Sequence, residues 1–434
     1  MESRALPRQP FGRHRPSLLS DDLVRALIAA GQVDVLVGVP TLDNAKTIRK
    51  VIQAILAAFA GPLARQRTLL LDADGGSTDG SADIVRGARD REDDLIVAAH
   101  PLRTVHRLST PYHGNVGRAN ALRLVFAAAD LASARAVVIV DPETTALTPE
   151  GIASLARPVL DGKFDLVKPL SGSSPWERPL ITQLVSPLLR AAYGQRLVDP
   201  ITTQFACSGR FAAATVASDV WDTPLAENGL DTWLTVRALA DPTRVAQVWA
   251  PGVQEPQHAR RPAAAEVFQQ VVGALFESLV ADLGRWLEIR GSSDATTLGE
   301  PRPPVTVRPP FDVASFADVF TQGVRELPPL LRPILGDVLL AQLAAAAERQ
   351  PVRVPPALWA SAVFHALAGA HRRALPASQV VGALYPLYLG RVGSFTGETA
   401  NDSAEAAAAR LEDVGLAFEN AKAELASLFA PTTR

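Results

Sequence analysis

An α/β architecture, in which a mostly parallel sheet is followed by an α-helical C-terminal domain, is the fold class this sequence predicts. Three observations carry it. Between residues 33 and 167, short runs of Val, Ile and Leu alternate with segments of helical period. Those runs are almost continuously apolar, as in strands covered on both faces. From about Ala263 the pattern changes to long Ala- and Leu-rich stretches with helical spacing.

Taken in order, residues 20–30 read as a helix with Ser20 or Asp21 as its N-cap. Val33–Val39 is the first strand, and Asn44–Phe59 has helical period. Thr68–Leu71 is a strand and Ser81–Ala88 a helix, followed by a short strand at Leu95–Ala98. Gly117–Leu131 is helical, Ala136–Val140 a strand, Pro149–Leu160 a helix and Phe164–Val167 a strand. The segment "GEPRPPVTVRPPF" (Gly299 to Phe311) cannot continue a helix and is expected to be an extended crossover inside the helical region. The expected division is a disordered basic tail over 1–18, an α/β domain over 19–264 and a helical domain over 265–434. No internal repeat is visible.

Composition limits the function classes. The 434 residues suffice for two or three domains, and 47% apolar content suffices for a large core. A net charge of −2 implies no strong attraction to nucleic acid or to a membrane surface, and 6% aromatics disfavours a base-stacking platform. The single cysteine, Cys207, excludes an internal disulfide and a Cys-based zinc site and suggests a reducing compartment. The N-terminus carries several Arg but no apolar stretch of signal-peptide length. The longest uncharged run, Val354 to His371, opens on two prolines and contains a histidine and a glycine, which argues against a spanning helix. A cytoplasmic protein is expected, with no nucleic-acid or membrane partner, and the apolar helical domain makes a homodimer plausible.

In an open parallel sheet, ligands bind beyond the carboxyl ends of the strands, so the residues after each strand matter most. The first strand leads into Pro40-Thr41-Leu42-Asp43-Asn44. The second leads into "LDADGGSTDGS" (71–81), where Asp74 stands at the strand opening and Gly75 and Gly76 let backbone approach a ligand. A plain Gly/Asp turn is the alternative reading of each segment alone. No G-x-G-x-x-G follows the first strand and no G-x-x-x-x-G-K-[ST] occurs, which disfavours dinucleotide dehydrogenases and P-loop NTPases. The strand ending at Val140 runs into Asp141-Pro142-Glu143, with carboxylates at i and i+2. Such a pair suits a divalent cation. An acidic strand exit with a proline turn is the alternative.

Together, "VPTLDNAKTI", "DGGSTDGS" and "VIVDPE" resemble the family 2-like glycosyltransferases of the GT-A fold. The resemblance implies a nucleotide-sugar-binding domain in which Asp74 meets the base, and Pro40, Thr41, Asp43 and Gly75 hold base and ribose. It also implies a Mg²⁺ or Mn²⁺ ion bridging Asp141 to the donor diphosphate, with Glu143 and His258 of "EPQHARRPAA" as further ligands. Asp-Pro-Glu departs from the family's D-x-D, since Glu is longer and Pro stiffens the turn.

Within that family the chain is similar to glucosyl-3-phosphoglycerate and mannosylglycerate synthases. The similarity lies in "GNVGRANALR", "FDLVKPL", "DPITTQFACSGRFA" and "ENGLDTWLT", and in "LWASAVFHAL" and "LYLGRVGSF" near the C-terminus. It implies that Arg118 contacts phosphate and that Lys168, Arg210 and Asp231 form the catalytic set. Thr203, Gln204 and Arg260 would face an anionic acceptor. Trp359, His365 and Arg391 anchor the C-terminal match, the first two read as core packing. The implied reaction retains anomeric configuration and moves glucose or mannose from UDP-glucose or GDP-mannose to glycerate or 3-phosphoglycerate. A different small or lipid-linked acceptor, or a nucleotide-sugar-binding protein without turnover, are the competing readings, motivated by the altered Asp-Pro-Glu and Thr-Thr-Gln segments.

Overall fold

The computed structural model describes residues 19–88, 95–99, 117–170, 172, 174–240, 244–253, 263–301 and 308–429. The strands are β1 (Val35–Thr41), β2 (Thr68–Asp74), β3 (Leu95–Ala99), β4 (Ala136–Ile139), β5 (Leu166–Pro169), β6 (Gln195–Arg196), β7 (Phe205–Ser208), β8 (Val245–Val248), β9 (Ser293–Asp294) and β10 (Thr296–Leu298). Eight of them form one sheet in the order β10-β8-β5-β7-β4-β1-β2-β3, and β6 pairs with β9 in a separate two-stranded sheet. Among the described residues β7 alone runs antiparallel in the large sheet, between β4 and β5. The expected α/β class with a mostly parallel sheet is thus observed.

The apolar strands alternate between two cores. Val35, Val37 and Val39 of β1 face one core with Leu70 and Val138, under helices Ile48–Ala60 and Pro149–Leu160. Leu36, Leu69, Leu71, Val137 and Ile139 face the other, under helices Asp21–Ala30 and Arg118–Leu131. The second side chain pattern requires close packing across β1: a Cβ added to Gly38 would lie 2.5 Å from Val125 Cγ1. Local caps agree with the sequence. Ser20 Oγ accepts from the Leu23 N–H, and Thr148 Oγ1 from the Gly151 N–H.

The core beneath Arg118–Leu131 continues without a break into the C-terminal helices, where Phe268, Leu275, Trp286, Trp359, Phe364 and Phe418 are buried. Those helices are Ala264–Ala281, Leu283–Trp286, Val313–Glu326, Pro328–Ala347, Pro356–His371, Ala377–Glu398 and Ala404–Leu425. The chain does not leave the sheet at residue 264. After helix Ala264–Ala281 it returns, and β10 pairs with β8 at the sheet edge. Residues 1–18 and most of the proline-rich crossover, 302–307, lie outside the described residues. Helices Ala264–Ala281 and Pro328–Ala347 are long and apolar enough to cross a membrane by length and composition, and each has 44% of that window buried inside the protein.

Trp359 and Arg391 join the two regions. Both are buried. Trp359 Nε1 donates to the Gln183 carbonyl at 2.6 Å and Arg391 Nε to Gln183 Oε1 at 2.9 Å, within the π-helical turn Ile181–Val185. These C-terminal anchors therefore act in packing. His365 is only partly buried, and its Nδ1 lies 2.9 Å from the Ser361 carbonyl oxygen one turn earlier.

Candidate functional site

Parallel neighbours β1, β2 and β4 bring their carboxyl ends to one side of the sheet. Thr41 stands opposite Asp74, and Gly38 opposite Ile139. The loops leaving those ends meet there, as ligand sites of open α/β sheets do.

The first two loops are sewn to each other by hydrogen bonds. The Asp43 N–H donates to Ser77 Oγ at 2.9 Å, the Asn44 N–H to Ser81 Oγ at 2.8 Å and the Ala45 N–H to Asp79 Oδ2 at 2.8 Å. In return the Thr78 N–H donates to Asp43 Oδ1 at 2.8 Å. Asp43 adopts φ 54°, a left-handed conformation that Asp tolerates through such local bonding. Its carboxylate is thus engaged in the loop itself. Asp74 is held by its own turn, accepting from the Gly76 N–H at 3.1 Å and the Ser77 N–H at 3.2 Å. The Gly75 N–H donates to the Thr41 carbonyl at 2.7 Å, which locks the end of β1 to the glycine turn. Pro40 pairs in register with Ala73 just below.

Asp141 begins where β4 ends, after the Val140 N–H has donated to the Gly38 carbonyl at 3.0 Å. It is fully buried, and its Oδ1 accepts the Glu143 N–H at 2.9 Å. Pro142 suits this turn because it lacks an N–H to satisfy. Glu143 is half-buried, and its Oε1 receives Asn44 Nδ2 at 3.4 Å, so the acid pair touches the first loop. Two carboxylates supply the hard oxygen donors that Mg²⁺ and Mn²⁺ take, so the donor set fits such an ion. Among the described residues no group of three His, Cys, Asp or Glu converges on a metal position. His258 and Arg260 lie outside the described residues.

Arg118 opens its helix after Gly117, which supplies φ 77°. Its Nε and Nη2 meet Asp231 Oδ2 and Oδ1 at 2.9 and 3.0 Å, and Nη2 also donates to the Thr203 carbonyl at 2.5 Å. Both side chains are buried. The residues expected to contact phosphate and sugar are therefore each other's partners. Thr203 and Gln204, both fully buried, precede β7, whose Phe205 stands opposite Ile139. They lie at the Asp141 end of the sheet. Lys168 is fully buried on β5, opposite Gln247, with Nζ 5.0 Å from the centre of the Phe205 ring.

Arg210, expected in the catalytic set, stands apart from these residues. Because β7 runs antiparallel, Ser208 stands opposite Ala136, the first residue of β4. Arg210 follows it at the amino ends of the parallel strands, away from the loops above. There its Nε and Nη2 bind Asp165 at 2.8 and 2.6 Å, beside Arg244. Burial opposes ionisation of Asp165, but hydrogen bonds from Arg210, the Arg244 backbone and Ser208 hold its carboxyl well below the usual range. Nothing in a linear sequence marks a four-residue strand as reversed.

Sequence reading also passed over Asp72. Its residue is fully buried on β2, and Thr41 Oγ1 donates to its Oδ1 at 2.5 Å. Burial, together with the nearby Asp74 charge and against the Thr41 hydrogen bond, raises its pKa to about 7. The signal was present: in "LDAD" strand parity puts Asp72 and Asp74 on one face.

No protein-family model matches the chain, and no curated protein matches it. Solved structures of glucosyl-3-phosphoglycerate synthase from Mycobacterium tuberculosis are similar to it. The complex with Mn²⁺, uridine diphosphate and phosphoglyceric acid is 22% identical over 61% of this chain and 84% of that one, with a TM-score of 0.40. The complex with Mn²⁺, uridine diphosphate and glucosyl-3-phosphoglycerate is 20% identical over 68% and 97%, with a TM-score of 0.39.

Proposed function

We propose that the chain is a metal-assisted, retaining glycosyltransferase of the GT-A type that moves glucose or mannose from a nucleotide sugar to glycerate or 3-phosphoglycerate. The observation that carries this reading is the meeting of the loops after β1, β2 and β4 at one side of the sheet. Thr41, Gly75 and Asp74 stand on one side and Asp141 and Glu143 on the other, joined through the Asn44–Glu143 contact.

In this reading Asp74 and the end of β1 hold the base and ribose. Asp141 and Glu143 would hold Mg²⁺ or Mn²⁺, which when bound would supply positive charge to the leaving diphosphate. Arg118 fixes the Thr203 carbonyl and Asp231 together and so shapes the sugar and acceptor side. Lys168 adds buried positive charge next to it. The protein's contribution is positioning and charge stabilisation. The departing diphosphate takes the acceptor's proton on the same face of the sugar, so no protein nucleophile is required.

A second reading keeps the donor and changes the acceptor. A cavity of about 940 Å³ lies beside Gly229, two residues before Asp231, lined by Leu225, Ala274, Phe276, Val280 and Leu375. None of the named site residues lines it, and the altered Thr203-Gln204 segment is what motivates this reading. Incubation with UDP-glucose or GDP-mannose, Mn²⁺ or Mg²⁺, and D-glycerate or 3-phosphoglycerate separates the two. Glycosylated glycerate supports the first reading. Donor binding with no transfer to either acceptor turns weight to the second.

A further inference from the structure

Residues 199–204, which carry Thr203 and Gln204 into β7, form a buried irregular segment. A buried loop must find partners for its polar backbone, and here side chains from distant parts of the chain supply them. Thr235 Oγ1 donates to the Pro200 carbonyl at 2.7 Å and Arg118 Nη2 to the Thr203 carbonyl at 2.5 Å. Gln247 Oε1 accepts the Val198 and Asp199 N–H groups at 2.8 and 3.2 Å. Arg178 grips the same segment at two points. Its Nη1 binds Asp199 Oδ1 at 2.5 Å, and its Nη2 donates to the Ile201 carbonyl at 2.7 Å. With both terminal nitrogens engaged in this way, Arg178 acts on the segment and not on a ligand.

Arg178 belongs to residues 174–185, which follow β5 and are held from their other side by the C-terminal helices. Trp176 is buried, and its Nε1 donates to Thr399 Oγ1 at 2.8 Å. Its ring packs with Phe395, Ala404 and Ala407, and the Arg308 guanidinium lies 4.0 Å from the ring centre. On the far side of Arg178, Gln183 receives Trp359 Nε1 and Arg391 Nε, and Arg391 is itself paired with Glu398 at 2.8 Å. The Thr182 N–H donates to the Arg178 carbonyl at 3.0 Å, which ties Arg178 to that turn. Residues 174–185 are therefore a strut. It is anchored to the C-terminal helices at Trp176 and Gln183, and Arg178 projects between the anchors onto residues 199–204.

We propose that Arg178 is a positioning residue that sets the shape of residues 199–204, and that the C-terminal helices govern acceptor affinity through it by holding the strut in place. The inference rests on the acceptor side proposed above, which includes Thr203 and Gln204. An ion pair that served stability alone would, when weakened, lower donor and acceptor binding together. A strut under one segment shifts the acceptor side and spares the loops at Thr41, Asp74 and Asp141, which carry none of its contacts.

The test compares the wild-type chain with Arg178→Lys and Trp176→Phe. Lysine keeps a positive charge for buried Asp199 but cannot span both contacts. Phenylalanine keeps an aromatic ring under Arg308 but loses the bond to Thr399. Three quantities are read: the KM for glycerate or 3-phosphoglycerate, UDP and GDP affinity by calorimetry, and deuterium exchange of the amides over 199–204 and 74–81. Arg178→Lys should raise the acceptor KM by about tenfold, the order of one lost charge-assisted hydrogen bond. Exchange over 199–204 should become faster, while nucleotide affinity and exchange over 74–81 stay at wild-type levels. Trp176→Phe should shift the same two quantities in the same direction by less. A folded Arg178→Lys with unchanged acceptor KM, or with nucleotide affinity lowered as much as acceptor affinity, overturns the inference. An effect of Arg178→Lys with none from Trp176→Phe overturns the role of the C-terminal helices. If the wild-type chain transfers sugar to neither acceptor, the proposed reaction is overturned instead. Exchange over 199–204 then decides the strut by itself: faster in Arg178→Lys supports it, and unchanged overturns it.

Discussion

Arg118 and Asp231 lie 113 residues apart in sequence and form a two-point ion pair, with contacts of 2.9 and 3.0 Å between buried side chains. Removing one partner of such a pair leaves an uncompensated buried charge, which costs about 3–5 kcal/mol. Arg118→Met and Asp231→Leu should each lower unfolding free energy by that order in urea titrations. The double variant should be more stable than the sum of the two predicts. Strict additivity would show that the pair is not coupled.

Asp141 is the deeper of the two acids after β4, and Glu143 is half-buried. Asp141→Ala should abolish Mn²⁺-dependent nucleotide binding, whereas Glu143→Ala should weaken it by about tenfold, equivalent to about 1.4 kcal/mol. His258→Ala should weaken metal dependence less than Asp141→Ala. Manganese titration followed by calorimetry reads all three. An unchanged titration for Asp141→Ala would remove the metal from this site.

Arg210 separates motif from geometry. By resemblance it belonged to the catalytic set, yet it binds Asp165 at the amino ends of the strands. Its side chain is 68% exposed and Arg244 also reaches Asp165, so Arg210→Ala should cost only about 1 kcal/mol of stability. Donor affinity and turnover should be unchanged. A large loss of turnover with an intact fold would return Arg210 to the site.

Asp72 should make stability depend on pH in a definite sense. Its folded pKa is raised from 3.8 to about 7, chiefly by burial. Below the unfolded value both states are protonated and the acid is tolerated. As pH rises between the two values the unfolded chain ionises freely and the folded one does not, so stability is lost until pH passes the folded pKa. Each unit of difference is worth about 1.4 kcal/mol. Asp72→Asn should therefore be more stable than wild type at about pH 8 by a few kcal/mol, and the gap should close toward about pH 4. Thermal unfolding across that range measures it, and a gap independent of pH would contradict the assignment.

The readable parts of the site were those coded by neighbours in sequence. Asp74 with its two glycines, and Asp141 with Glu143, are local signals at the ends of apolar runs. Strand periodicity is enough to place them on one side of a parallel sheet. The loop that carries Asp43 was legible as a loop, but not the fact that Thr78 and Ser77 would engage it. Those bonds join segments 34 and 35 residues apart, and nothing in either segment names the other.

Periodicity and turn residues act over a few positions, so the order of amino acids encodes the class of fold and the chemistry offered at the strand ends. Tertiary structure decided which of those groups face each other. The reversal of β7 sent Arg210 to the far edge while leaving Thr203 and Gln204 beside β4. The ion pair between the first turns of helices Arg118–Leu131 and Leu230–Ala240 joined two residues expected to act separately, and burial beneath Thr41 turned Asp72 from a strand residue into a titrating one. Strand direction, long-range pairing and desolvation depend on what surrounds a residue in space, and only the folded chain supplies that.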